Sequence, residues 1–288
     1  MAKKSLLCKI GKVTLKNPVI TASGTFGYGL QLEDFLDLNL LGGIVTKTIT
    51  LHPRKGNKPP RIYDLGFGIL NSIGLENPGL KDFKKKYIDF LNSLKTAVFV
   101  SIYAETLRGW SKIIASLEKE KIAGFELNFS CPNIKDKILS ASKRKVFRII
   151  SYLRRITKKT LIAKLSYSLQ IKEVALVAQK AGIDAVTLIN TLPAMAINLD
   201  QGGPVLGSSF GGLSGPCIKP LALRCVHEVS SLLKIPVIGC GGITNYKDVL
   251  EYLSLGAKAV QVGTANLVYP DICLKIIKDL EKYCGKKM

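Results

Sequence analysis

No stretch of the chain approaches the roughly 18 uninterrupted apolar residues that a membrane-spanning helix needs, so no membrane association is expected. The N-terminus, Met1-Ala2-Lys3-Lys4-Ser5-Leu6-Leu7-Cys8-Lys9, has a three-residue apolar run after Lys4. A secretory core needs about 7–15, and a cytoplasmic protein is expected. The cysteines number seven, an odd count, and no pair has the C-x-x-C spacing of zinc or iron–sulfur sites. A disulfide framework and a resident cluster are thereby set aside, and no metal is expected. Histidine is scarce too: His52 and His227 are the two in the chain, which leaves little choice of imidazole base. Acidic residues number 21 against 42 basic ones, a formal charge of +21. That balance invites a nucleic-acid reading. The lysines, however, are spread along the chain without interleaved aromatics, as in Lys84-Lys85-Lys86 and Lys143-Arg144-Lys145. A solvated basic surface is expected instead, one that attracts an anionic substrate or an acidic partner.

What is present points to one large domain spanning residues 1–288. A hydrophobic fraction of 47% suffices for a sizeable core, and 26 glycines imply many tight turns. Short Val-, Ile- and Thr-rich runs recur at 18–22, 43–48, 97–102, 124–129, 161–165, 184–189, 235–239 and 258–263. Near-continuous apolar runs of this kind are strands buried on both faces. Between them lie helical stripes: Trp110, Ile113, Ile114 and Leu117; Val146, Ile149, Ile150 and Leu153; Cys273, Ile276, Ile277 and Leu280. Eight β/α alternations predict an α/β fold, a closed (β/α)8 TIM barrel with a short N-terminal hairpin over 5–16. A doubly wound sheet is the alternative, because strand order is not legible in one sequence. Long segments at 50–80, 131–143 and 191–217 follow strands two, four and six, and so fall at the C-terminal mouth.

Polar residues within or just after such strands have no structural need to be there. Lys47 lies in strand two and Lys164 in strand five. Asn128, Cys131 and Asn133 end strand four, and Asn190-Thr191 end strand six. Strands seven and eight end in Gly239-Cys240-Gly241-Gly242 and Gly263-Thr264, each followed by a helix start, where barrels bind phosphate. Gly211-Gly212-Leu213-Ser214-Gly215-Pro216 adds a third glycine-rich stretch. Of the two histidines, His52 lies in the proline-rich loop and His227 in a helical pattern, with a structural role expected. Cys131 leads a loop among polar groups and is the better base or nucleophile. A lysine on a barrel strand also suits Schiff-base chemistry, so a lyase or aldolase is a rival reading.

Several runs together resemble the class 1 dihydroorotate dehydrogenases over nearly the whole chain. They are Asn17-Pro18 through Ala22-Ser23-Gly24-Thr25-Phe26-Gly27, Thr46-Lys47-Thr48, Pro53-Arg54-Lys55-Gly56-Asn57, and Asn71-Ser72-Ile73-Gly74-Leu75. Further on come Glu126-Leu127-Asn128-Phe129-Ser130-Cys131-Pro132-Asn133, Ile189-Asn190-Thr191, Gly212-Leu213-Ser214-Gly215-Pro216 and Gln261-Val262-Gly263-Thr264. The resemblance implies one FMN across the mouth, its phosphate on Gly215, Gly241, Gly242, Gly263 and Thr264. Ser23, Lys47, Thr48, Asn128, Lys164 and Ile189 would line its chain and ring, with Lys164 stabilising the anionic reduced ring. Dihydroorotate or orotate would be gripped by Lys47, Asn71, Ser72, Ile73, Gly74, Leu75, Asn128, Asn133, Asn190 and Thr191. Cys131 would be the catalytic base. Class 2 members use a serine there.

The run Ile189-Asn190-Thr191-Leu192 and then Met195-Ala196-Ile197 looks like subclass B, whose members pass electrons to a partner subunit carrying FAD and a [2Fe–2S] cluster, and on to NAD. A homodimer, or a heterotetramer with that subunit, is implied. A fumarate-dependent enzyme of the same class, or another FMN-dependent pyrimidine oxidoreductase, is the alternative. The chain departs from the family in the loop Ile134-Lys135-Asp136-Lys137-Ile138-Leu139-Ser140, at Tyr167-Ser168, and at Ser101, where an asparagine is usual.

Overall fold

The structure is a computed structural model that describes residues 6–129, 142–200 and 202–286. The predicted hairpin is there: β1 (Cys8–Ile10) pairs antiparallel with β2 (Val13–Leu15). Its turn needs Gly11, because φ is 56° and a Cβ would meet that of Asp184 at 2.8 Å. Then β3 (Val19–Thr21) and β4 (Gly43–Val45) open the barrel. β5 (Ile62–Asp64) and β6 (Ile69–Asn71) leave it. β7 (Ala97–Ile102), β8 (Gly124–Asn128), β9 (Thr160–Leu165) and β10 (Ala185–Leu188) continue it. β11 (Leu192–Ala194), β12 (Ile197–Asn198), β13 (Gly203–Pro204) and β14 (Gly211–Ser214) leave again. β15 (Val237–Cys240) and β16 (Ala259–Val262) finish the barrel, which closes where β16 pairs parallel with β3. Closure excludes the doubly wound sheet.

Helices α1 (Gly79–Ser93), α2 (Leu107–Leu117), α3 (Lys143–Arg154), α4 (Ile171–Lys180), α5 (Lys219–Ser230) and α6 (Tyr246–Ser254) lie between the strands. The short α7 (Ala265–Val268) and the C-terminal α8 (Ile272–Lys286) follow the last strand. The three predicted stripes are all buried, facing the strands. The starts of α2 and α3 are set by side-chain caps: Thr106 accepts from the Gly109 amide at 3.1 Å, and Ser142 accepts from that of Lys145. No helix among the described residues is long and apolar enough to cross a membrane.

Along each strand the side chains alternate between the helices and the barrel interior. In β8, Phe125 and Leu127 pack with the helical core, whereas Glu126 and Asn128 turn inward. The lower interior is one apolar cluster of Ile20, Val45, Phe99, Ile162, Ala185, Ile238 and Ala259, and Ile10 and Leu15 of the hairpin plug it. One inward position further along several strands, the filling turns polar: Ser101, Glu126, Lys164, Thr187 and Gln261, all buried.

Two expectations need correction. Strand two ends at Val45 rather than at residue 48. The Lys47 amide donates to Gly27 O at 2.7 Å, so the chain has lifted onto the loop after β3 and Lys47 stands on the mouth, not in the sheet. The segments 50–80 and 191–217 also contain more than loop. They build a four-stranded antiparallel sheet, β11-β14-β6-β5, in which Asn71 lies opposite Gly212. Its strands run only three or four residues, too short to show an alternation.

Candidate active site at the barrel mouth

The mouth opens into a cavity of about 470 Å³, roofed by that outer sheet and floored by the polar layer. The predicted residues Ser23, Lys47, Thr48, Asn71, Ile73, Gly74, Leu75, Asn128, Lys164, Ile189, Asn190, Thr191, Gly215, Gly241, Gly242, Gly263 and Thr264 all line it. Ser72 does not. Its hydroxyl is buried behind the loop, accepting from Asn57 Nδ2 at 2.7 Å and from Ser208 Oγ at 2.5 Å, because alternation along the chain from Asn71 turns it away. Cys131 and Asn133 lie outside the described residues. His52 and His227 are exposed, His227 on α5, so neither enters the site and His227 has no core role.

At one end, Gly215, Gly241 and Gly242 adopt φ of 101°, 137° and 66°, a region closed to most side chains. A Cβ on Gly242 would sit 2.6 Å from that of Lys219, so the turn needs glycine for space as well. Gly263 differs: a Cβ there would meet only Ala22, at 3.5 Å, so the chain itself leaves that side open. Among the described residues, the amides of Gly241, Gly242, Gly263 and Thr264 donate to no other group of the chain. Unpaired donors converging on a cavity suit an anion.

The expected help from the α6 N-terminus is absent, however. Asn245 accepts from the amides of Lys247 and Asp248, and the Asp248 carboxylate accepts from those of Thr244 and Asn245. This capping box uses the donors that a phosphate would take. Lys219 is likewise committed, at 2.6 Å from Asp248 and 3.0 Å from Glu251.

Beneath the cavity centre, Lys164 Nζ donates to Gln261 Oε1 at 2.8 Å and contacts Cys240 Sγ at 3.5 Å. Gln261 Nε2 in turn donates to Glu126 Oε2 at 2.5 Å, and Thr187 Oγ1 donates to the same oxygen at 3.3 Å. Among the described residues, Glu126 Oε1 has no hydrogen-bond partner. An amide thus bridges a buried cation and a buried carboxylate. Burial works against the Lys164 ammonium, yet the Cys240 sulfur and the Glu126 carboxylate outweigh it and its pKa is raised. Lys164 therefore stays charged. Burial in turn pushes the pKa of Cys240 up. Glu126, Thr187 and Gln261 were missed as site residues. The signal was available, since both Glu126 and Gln261 are polar residues in the middle of apolar strands.

The third group sits beside the ring of strand ends. Thr48 Oγ1 lies 3.1 Å from Ser23 Oγ and 2.8 Å from Ser101 Oγ, and accepts from Asn128 Nδ2 at 3.1 Å. Ser101 does not reach the cavity; it buttresses Thr48 from below. Asn71 Nδ2 donates to Gly212 O at 3.0 Å, which fixes its carboxamide in the roof.

A closed parallel barrel with free glycine amides, buried lysine and carboxamides at its C-terminal mouth defines a (β/α)8-barrel enzyme built for an anionic ligand. The dihydroorotate dehydrogenase sequence profile matches residues 5–284. The chain belongs to the dihydroorotate dehydrogenase family. It is 44% identical over 282 residues to the dihydroorotate dehydrogenase B (NAD(+)) catalytic subunit of Thermoanaerobacter pseudethanolicus, covering 97% of this chain and 93% of the other. It is 46% identical over 281 residues to the protein of the same name in Thermodesulfovibrio yellowstonii, with 96% and 92% covered. In fold it is similar to a DHODH of Eimeria tenella solved with ferulenol, at a TM-score of 0.80 and 20% identity, over 98% of this chain and 85% of that one.

Proposed function

We propose that the chain oxidises dihydroorotate to orotate in pyrimidine biosynthesis, as the catalytic subunit of an NAD-linked enzyme. The observation that carries this reading is the cavity itself. Unpaired glycine amides stand at one end, a buried cation lies under its centre, and Lys47 with the carboxamides of Asn71, Asn128 and Asn190 stands at the other. Lyase chemistry is disfavoured, because a Lys164 held cationic between Gln261 and Cys240 is a poor nucleophile.

The donor set fits FMN. Gly241, Gly242, Gly263 and Thr264 would hold the phosphate by backbone N–H, with Gly215 giving room, while Ser23, Thr48 and Ile189 line the space between. When bound, FMN supplies the hydride acceptor for the substrate's C6 hydrogen. Lys164 presents the positive charge that an electron-rich reduced ring requires. The carboxamides of Asn71, Asn128 and Asn190 suit the donors and acceptors of a pyrimidine imide, and Lys47 suits its carboxylate. Cys131 follows β8 in the chain and would, as thiolate, take the C5 proton. Loss of that proton and of the C6 hydride leaves the C5–C6 double bond of orotate. Electrons would leave through a partner subunit carrying FAD and a [2Fe–2S] cluster, the chain itself forming a homodimer or a heterotetramer with that subunit.

The visible spectrum of the purified protein, before and after anaerobic dihydroorotate, tests this. A flavin spectrum that bleaches is expected. A protein that stays colourless after incubation with FMN sinks the reading. In Cys131→Ala the flavin should stay bound and its reduction slow by about two orders of magnitude or more; unchanged reduction removes Cys131 as the base.

A further inference from the structure

Among the described residues that line the cavity, Glu76 is the only acidic one, in a chain with twice as many basic as acidic residues. Its position is built rather than incidental. It follows Gly74 at φ 73° and Leu75 at φ 56°, and Leu75 is the one non-glycine residue with positive φ among the described residues. A left-handed leucine is held only where its surroundings insist on it. Here Asn77, buried, donates from Nδ2 to Leu75 O at 2.7 Å and accepts from the amides of Thr50 and Gly79. The Asn57 amide donates to Ile73 O at 3.1 Å.

The carboxylate is bracketed as well. Arg61 Nη1 meets Glu76 Oε1 at 2.9 Å, while the same guanidinium donates to Asn57 O at 2.5 Å and Lys55 O at 2.9 Å. The Arg61 guanidinium holds the Glu76 carboxyl below the usual carboxylate range, so it is ionised at neutral pH. The other oxygen, Oε2, lies 3.6 Å from Lys47 Nζ. That separation is a Coulombic contact, longer than an orienting hydrogen bond. Lys47 does not need it for placement, because its backbone is already tied to Gly27. The described lining therefore carries two cations, Lys47 and Lys164, and one anion, a net of +1 in a chain of +21.

We infer that Glu76, fixed by Arg61, is a built-in competitor for the substrate's carboxylate on Lys47, and a specificity-determining residue that weakens the hold on anionic pyrimidines. An arriving carboxylate takes Lys47 while Glu76, kept in place by Arg61, remains beside it. The residual repulsion hastens release of an anionic product. The inference rests on the reading of the cavity given above.

The test is titration of orotate into FMN-loaded protein, read from the flavin difference spectrum, for wild type and Glu76→Gln. Glu76 is half-exposed, and the isosteric amide leaves Arg61 an acceptor, so the variant keeps its fold. Orotate should bind the variant roughly three- to tenfold more tightly, the Coulomb effect of one charge about 5 Å away in a wet site. Uracil, which lacks the carboxylate, should bind both proteins alike. Equal or weaker orotate binding by the variant overturns the inference, and so does equal tightening for uracil. A loaded wild type that binds no orotate at all removes the reading of the cavity and the inference with it, a failure visible without the variant.

Discussion

Two layers of the same barrel interior lie one inward position apart, and they are filled by different chemistry. In the lower layer Ile20, Val45, Phe99, Ile162 and Ile238 meet the hairpin's Ile10 and Leu15, and nothing there needs a partner. In the upper layer Ser101, Glu126, Lys164, Thr187 and Gln261 are buried as deeply, and nearly every polar atom is matched to another. Both layers hang on the same strands: Phe99 and Ser101 on β7, Ile162 and Lys164 on β9, Ala259 and Gln261 on β16. The lower layer stabilises by removing apolar surface from water. The upper one carries the cost of desolvating charge, and it sits directly under the cavity. The difference marks where the fold ends and the site begins.

The largest effect should come from breaking the charge balance of the upper layer. Lys164→Met leaves Glu126 buried without its cation and should cost about 3–5 kcal/mol in urea unfolding. Lys164→Met with Glu126→Gln should recover most of that loss. A single-variant cost below about 1 kcal/mol would mean that the layer is not a charge-balanced unit.

In the lower layer, Ile20→Ala should cost about 2–4 kcal/mol through the cavity it leaves. Its affinity for FMN should change by no more than about twofold, since the residue lies a layer below the cavity. Fluorescence titration of the flavin checks this, and a tenfold loss would show that the two layers are mechanically coupled.

The smallest effect belongs to the rim, where buried and solvated charge meet. Burial works against the Asp248 carboxylate, but Lys219 and the groups of Thr244 outweigh it, and its pKa lies below the ordinary value. Its stabilising contribution is therefore complete above the unfolded value of about 3.9 and fades as pH falls through the lower folded one. Asp248→Asn should cost about 1 kcal/mol at neutral pH. The gap from wild type should shrink below about pH 4 in acid unfolding; a gap that widens there would refute the assignment.

The strands were legible because each is a short run of β-branched residues buried on both faces, and such runs stand out against lysine-rich helices. Asn128 and Lys164 were legible because polar residues in those runs have no structural reason. Glu126 and Gln261 obey the same rule and could have been found by it. The outer sheet could not: Asn71 and Gly212 are brought together across 141 positions by strands too short to show a pattern. Nor was the capping box at α6 read as a rival for the phosphate, although Asn245 and Asp248 have the spacing of one.

By itself the sequence determined the eight strands, the N-terminal hairpin and which strand ends carry chemistry, since burial and alternation are local properties of a strand. Only the tertiary structure decided what those groups meet. It set Gln261 between Lys164 and Glu126, turned Ser72 away from the cavity, gave the α6 donors to Asp248, and brought Glu76 to Lys47. Partnership among polar groups depends on which strands become neighbours when the sheet closes, and closure is a property of the whole chain.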